Sequence, residues 1–181
     1  GVDGAQARAS CPRGAVDLAV FYHERGDAAM IDALMATDLE GMRFRDKVAQ
    51  AVRLRLTAVD DKEVVRRGTA LFALPHLAPL GAKLVWGTAD AIWTTLGDTS
   101  EDVNWYTKRA TLSGVYGSVV LFWLGDQSDG GADTDAFIDR RIDDVMQIEK
   151  AKAQLRENKA LAPIVTPLGK MMGMIKAPRQ T

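Results

Sequence analysis

The sequence predicts an all-α protein, and three observations carry that prediction. Apolar residues recur at steps of three and four through six segments. Glycine and proline fall between those segments, and no stretch alternates apolar and polar residues long enough to make a strand. The 181 residues suit one domain with a real core, and 47% hydrophobic residues mark a globular chain, not a disordered one.

The first long helix is expected from Pro12 to about Leu39, with Val16, Val20, Ile31 and Leu34 at helical spacing and Pro12 in its first turn. A second spans Asp46–Val59, with Val48, Val52, Leu56 and Val59 inward and Arg45, Arg53 and Arg55 outward. A third runs from Lys62 to Leu74 and stops at Pro75. The fourth, Pro79–Leu96, carries Leu84, Val85, Ile92 and Trp93. "GDTSEDVNW" then restarts the chain, with Thr99 able to cap and Asp102 three residues on. The helix from Glu101 to Leu124 opens on polar turns that hold Trp105 and Tyr106. From Leu112 onward it is apolar or small on nearly every face, the pattern of a fully buried helix. "GDQSDGGADT" is a turn, and Asp135–Lys152 forms a charged amphipathic helix.

Net charge is −1, which gives no global pull toward nucleic acid, but its distribution is uneven. Between Lys150 and Thr181 stand seven basic residues and one acid, a net +6, against −7 for the first 149 residues. Cys11 is the sole cysteine, so no internal disulfide can form and a reducing compartment is expected. The longest apolar run, 115–125, falls far short of the ~20 residues of a membrane span. The chain opens at Gly1 in what reads as the middle of a motif, so an N-terminal segment is expected to be missing.

Catalytic signatures are not found. His23 and His76 sit in no Glu-x-x-His or His-x-x-x-His pair, and His23, beside Glu24 and Arg25, reads as a surface position. No phosphate loop, dinucleotide fingerprint or nucleophile elbow occurs. Asp60-Asp61 and Asp143-Asp144 are adjacent carboxylates that diverge on a helix. The expected protein is not an enzyme, and no cofactor is expected.

Three features stand above this background. Trp105 and Tyr106 point about 100° apart on one helix, so two accounts are open: a core edge, or an interface patch, for which Trp, Tyr and Arg are the favoured residues. The apolar stretches 71–75, 84–93 and 115–123, interrupted by Gly87, Gly114 and Gly117, either pack closely or line an apolar cavity. On apolar position alone, Leu71, Phe72, Leu74, Trp86, Val115, Val119 and Phe122 are the candidate lining residues of such a cavity, the lipid-binding site if the ligand is a lipid. Finally, Leu161, Ile164, Leu168, Met171, Met172 and Ile175 recur at helical steps among lysines, a basic amphipathic segment suited to a membrane interface or a partner groove. Pro163 and Pro167 interrupt it.

The run "GDTSEDVNWYTKRATLSGVY" resembles the signature of the ninth Coq protein family, the lipid-binding accessory proteins of ubiquinone biosynthesis. The likeness extends back through "LFALPH" and "WGTADAIWTTLGD" and forward through "DTDAFIDRRIDDVMQIEKAK", roughly Arg13 to Leu155, and composition points to a bacterial, alphaproteobacterial member. The resemblance implies a TetR-like fold: residues 1–38 as a remnant of the helix-turn-helix and connecting helix, 39–155 as a helical lipid-binding domain that forms a homodimer, and 156–181 as the basic amphipathic segment. Cys11 stands where both families usually carry an aromatic residue.

It further implies a bound isoprenoid quinone intermediate or phospholipid, a membrane-touching C-terminal segment, and a patch that meets the membrane-bound di-iron demethoxyubiquinone hydroxylase. That patch maps to Ile92, Trp93, Asp98, Asp102, Asn104, Trp105, Tyr106 and Arg109, with Trp105 expected to be the exposed ring that meets the partner. The implied location is cytoplasmic and peripheral, on the inner face of the membrane. A TetR-type regulator sensing a lipid effector is the alternative. Its recognition helix would be Ala5–Ser10, where Gln6 and Arg8 are thin provision for base and phosphate contacts, so DNA binding is not expected. A scaffold with a filled core and no ligand is the third possibility.

Overall fold

The computed structural model describes residues 3–157 and Ala177. Among the described residues there are only helices and their connections. They are α1 (Gly4–Ser10), α2 (Ala15–Ala36), α3 (Phe44–Thr57), α4 (Lys62–Phe72), α5 (Ala78–Thr95), α6 (Val103–Gly125) and α7 (Ala132–Glu157), with a 3-10 turn at Asp129–Gly131 before the last. The all-α expectation therefore holds, and each predicted helix is present to within a few residues.

The boundaries follow local chemistry. α2 begins after Pro12 because Gly14 adopts φ 60°, a left-handed conformation that glycine takes at no steric cost. Pro79 sits in the first turn of α5, where its missing N–H costs nothing. α6 starts at Val103, because Asp102 and not Thr99 supplies its cap: the Asp102 carboxylate accepts from Asn104 N–H at 2.9 Å. Before α7, Asp126 accepts from Ser128 N–H at 2.8 Å and from Thr134 N–H at 2.9 Å.

α6 lies between α5 and α7, α2 crosses α3 and α5, and α3 closes against α7. The core between them is Met30 and Leu34 of α2, Val48, Val52 and Leu56 of α3, Ala89 and Ile92 of α5, Leu112, Tyr116 and Val119 of α6, and Ile138 and Ile142 of α7. Each set repeats at helical spacing, so each helix contributes one stripe.

Two expectations are corrected here. Arg55 does not point outward; it is 3% exposed, within the apolar stripe of α3, because a carboxylate on α2 awaits it. And α6 is not buried on every face. Leu112, Val115, Tyr116 and Val119 are inside, whereas Gly114, Leu121, Phe122 and Gly125 are exposed, Leu121 at 63%. α5 and α7 pack closely on two sides of the helix, and α4 reaches it more sparsely near its C-terminal end, so part of its surface stays open.

Candidate functional site

Two places in this bundle gather chemistry. The first is the corner where α5 ends and α6 begins. Arg109, one turn after Trp105, is fully enclosed and donates from Nε to Asp90 at 2.5 Å and from Nη1 to Asp98 at 2.9 Å. Asp98 also accepts from Lys108 Nζ at 2.7 Å and from Ser100 Oγ at 2.8 Å. The Arg109 guanidinium lies 4.1 Å over the Trp105 ring, which contacts Trp86 at 5.9 Å and Tyr106 edge-on at 4.8 Å. Lys108 lies over Trp93, whose other neighbour is the stacked ring of Phe44. Behind this stack Trp105 Nε1 and Arg109 Nη2 are buried donors without a partner among the described residues. At the edge of the corner, Ala177 N–H donates to Glu101 O at 2.9 Å.

Burial pushes the Asp98 carboxyl up, but hydrogen bonds from Lys108, Arg109 and Ser100 outweigh it and hold the group at about 2. A depressed carboxyl contributes stability above its unfolded value, and that contribution is lost as pH falls through the folded one. Asp98 is thus expected to contribute on the order of 2 kcal/mol at neutral pH, lost between about pH 4 and 2. Urea unfolding at pH 5 and at pH 2.5 checks this: Asp98→Asn should be less stable at pH 5 and should lose less on acidification.

This geometry rearranges the anticipated partner patch. Ile92 and Arg109 are wholly inside, the Asp98 side chain is 3% exposed, and Trp105 is 8% exposed. Trp93 and Tyr106 are half-buried, and only Asp102 and Asn104 are open. Trp105 is therefore not the exposed ring. It is shut in by Trp86 on one side and the Arg109 guanidinium on another, and Tyr106 is the more accessible of the pair.

The second place is a cavity of about 360 Å³ bounded by α2, α3, α4, α5 and α6. Its walls are largely apolar, with Val64, Val65 and Phe72 of α4 facing Val85 of α5 and Val120 and Trp123 of α6. α4 contributes no buried residue and covers the cavity as a short amphipathic helix, its Glu63, Arg66 and Arg67 outward. At the opposite end stand His23, Arg55 and Tyr116, joined to Asp27 and Thr88 behind them. Arg55 Nε donates to Asp27 at 2.6 Å and Nη2 to His23 O at 3.0 Å. Burial pushes the Tyr116 hydroxyl up to about 12 and lowers the His23 ring below its ordinary value, so both are neutral at pH 7.

Of the seven residues chosen for this cavity on apolar position, Phe72 lines it. Val115 lines a smaller cavity of about 180 Å³, with Trp93 and Asn104 at its rim. Val119 is in the core, Trp86 lies against Trp105, Leu71 is half-buried, Leu74 is exposed, and Phe122 stacks on Phe137 at 4.3 Å. His23, Arg55, Thr88 and Tyr116 were not anticipated, although two signals were present: His23 and Asp27 at i and i+4, and an arginine at 55 inside the stripe Val52, Leu56, Val59. The tail residues Leu161, Ile164, Leu168, Met171, Met172 and Ile175 lie outside the described residues.

The described residues thus form an all-helical bundle with a largely apolar cavity that ends in buried polar groups, and no helix among them is long and apolar enough to cross a membrane. Residues 78–149, which span α5, α6 and most of α7, match the sequence model of the COQ9 family. The chain is 36% identical over 113 residues to the mitochondrial ubiquinone biosynthesis protein COQ9 of Bos taurus, covering 62% of this chain and 34% of that one. It is 32% identical over 113 residues to the COQ9 protein of Rattus norvegicus (62% and 35%). To the Drosophila melanogaster COQ9 it is 31% identical over 148 residues (79% and 45%). Residues 78–149 carry the COQ9 domain, and the chain spans about a third to somewhat under half the length of these relatives.

Proposed function

We propose that this chain is a non-enzymatic accessory protein of ubiquinone biosynthesis. It takes an isoprenoid quinone intermediate or a phospholipid into the α2–α6 cavity and presents it to the membrane-bound di-iron demethoxyubiquinone hydroxylase. The observation that carries the reading is the 360 Å³ apolar cavity in a chain whose α5–α7 region matches COQ9. A polyprenyl chain leaves a bilayer at about 0.8 kcal/mol per buried CH₂, so an apolar cavity held at the membrane lowers the cost of delivering it. The +6 tail would supply the attraction to anionic lipid, and a second copy would cover the open α6 face with Leu121 and Phe122. In this reading 1–38 is the remnant of a TetR-like helix-turn-helix, and the location is the inner face of the membrane.

The hydroxylase would dock at the α5–α6 corner, through Tyr106, Asp102 and Asn104 above the buried Trp105–Arg109 stack. Pull-down of the hydroxylase by the full chain tests this. Tyr106→Ala is expected to reduce capture about tenfold or more, as loss of an interface anchor does, with the circular dichroism of the helices unchanged. Undiminished capture by the folded variant would remove the corner from the interface. A DNA-reading regulator is the poorer account, because α1 has Arg8 as its one basic residue.

A further inference from the structure

The polar end of the cavity carries a chain of hydrogen bonds that fixes where its protons lie. It begins with the pair on α2 and α3, where Arg55 Nε donates to Asp27 Oδ1 at 2.6 Å and holds that carboxylate in place. Thr88 Oγ1 of α5 lies 2.9 Å from the same Oδ1 and 3.3 Å from Leu84 O, and both of these only accept, so the Thr88 hydroxyl proton is committed to one of them. His23 Nε2 lies 2.9 Å from Thr88 Oγ1 and 3.2 Å from Leu84 O. With the Thr88 proton already committed to Asp27 or Leu84 O, and a backbone carbonyl able only to accept, Nε2 must carry the hydrogen. The ring is neutral, so the other nitrogen, Nδ1, is left with a bare lone pair.

That nitrogen has no partner among the described residues, and it is not among the buried unpaired atoms. The His23 side chain is 18% exposed and belongs to the cavity wall. The Arg55 guanidinium and the Tyr116 hydroxyl share this end with it, and the walls that continue toward Phe72 and Trp123 are largely apolar, so a bound molecule meets polar groups at one end and mostly hydrocarbon along its length.

We propose that His23 Nδ1 is the acceptor for a ligand hydroxyl, so that the cavity selects apolar molecules that bear an alcohol or phenol head over those whose oxygen carries no hydrogen. The head lies at the α2–α5 crossing with the apolar body under α4. Thr88, Asp27 and Arg55 are positioning residues that hold the tautomer. This rests on the reading of the cavity as a lipid site, and it names the class of head group that the site prefers.

Titration of the full chain with farnesol and with farnesyl methyl ether, followed by fluorescence of Trp123 and the other tryptophans, tests it. Farnesol is expected to bind about three- to tenfold more tightly, the worth of one neutral hydrogen bond. In a folded His23→Leu variant the two should bind alike. Equal affinities in the unaltered protein would overturn the proposal while leaving the lipid site intact, and binding of neither would overturn both. A preference for farnesol that persists in folded His23→Leu would also overturn it, by placing the discrimination elsewhere. If His23→Leu does not fold, the two-ligand comparison on the unaltered chain still decides.

Discussion

Arg109→Ala is expected to destabilise the protein by about 3–5 kcal/mol, the usual cost of removing one member of a buried ion pair. The reason is what it strands. Asp98 has a side chain 3% exposed and would lose one of its two cationic partners, Lys108 being the other. Asp90 would lose its 2.5 Å contact, and Trp105 the guanidinium 4.1 Å from its ring. The vacated space sits beneath α6 where the loop from Leu96 to Asp102 is held down, so the corner should loosen as well. Arg109→Lys is expected to recover little of this. One ammonium cannot reach Asp90 and Asp98 together as the planar fork does. By contrast, Arg109→Met combined with Asp98→Asn should lose less than Arg109→Ala alone, since no buried carboxylate is then left uncompensated. Urea-denaturation midpoints at pH 7 measure all three. A loss below about 1 kcal/mol for Arg109→Ala would mean that water repairs the site and that the knot is not structural.

Gly26→Ala is the second substitution expected to have a large effect, and its sign is the informative part. In a helix interior, alanine for glycine ordinarily stabilises by about 1 kcal/mol. At position 26 of α2 an added Cβ would lie 2.6 Å from Arg55 Nη1 and 2.8 Å from its Cζ. A long side chain can often swing aside from such a contact. Arg55 cannot do so freely, because its fork is fixed by Asp27 and His23 O and it is 3% exposed. Displacing it leaves Asp27 partly buried without its counter-ion and removes the group that holds Thr88 and His23 in register. A net loss of about 2 kcal/mol is expected, the helix gain being outweighed by overpacking and a broken pair. The control is the same substitution beside Arg55→Met, where the clash and the ion pair are both gone and Gly26→Ala should be neutral or stabilising. A double-mutant cycle by urea denaturation reads the coupling directly. Additive effects would show that glycine at 26 has nothing to do with Arg55.

How much of this was legible beforehand varies by level. The helices were, because spacing of apolar residues and the positions of proline and glycine are local properties. The family resemblance was legible too, in the Asn-Trp-Tyr-Thr run and its surroundings, which lie within the residues that match COQ9. The side chains of the site were much less so. Trp105 and Tyr106 are neighbours in sequence with opposite fates, one sealed by Trp86 and Arg109, the other half-open. Composition could not choose between them, since the choice depends on which side of α6 meets α5. Arg55 was misassigned outward for a similar reason. An arginine in an apolar stripe is anomalous until a carboxylate 28 positions away is known to face it. The cavity escaped for a different reason: its wall is made by gaps between helices, and the small residues Gly68, Gly81 and Gly117 define it as much as the large ones.

By itself the sequence determined the all-α class, the order and approximate ends of six helices, the contrast between an acidic body and a basic tail, and the family to which the conspicuous motif points. Only the tertiary structure decided which of two adjacent rings is reachable, that Arg109 and Arg55 are interior, and that His23 stands at the polar end of an apolar cavity. Helix periodicity is fixed by hydrogen bonds within a few residues, so it is written locally. Burial, pairing and proton placement depend on groups that are distant in the chain and close only after it folds, as Asp27 and Thr88 are across 61 positions.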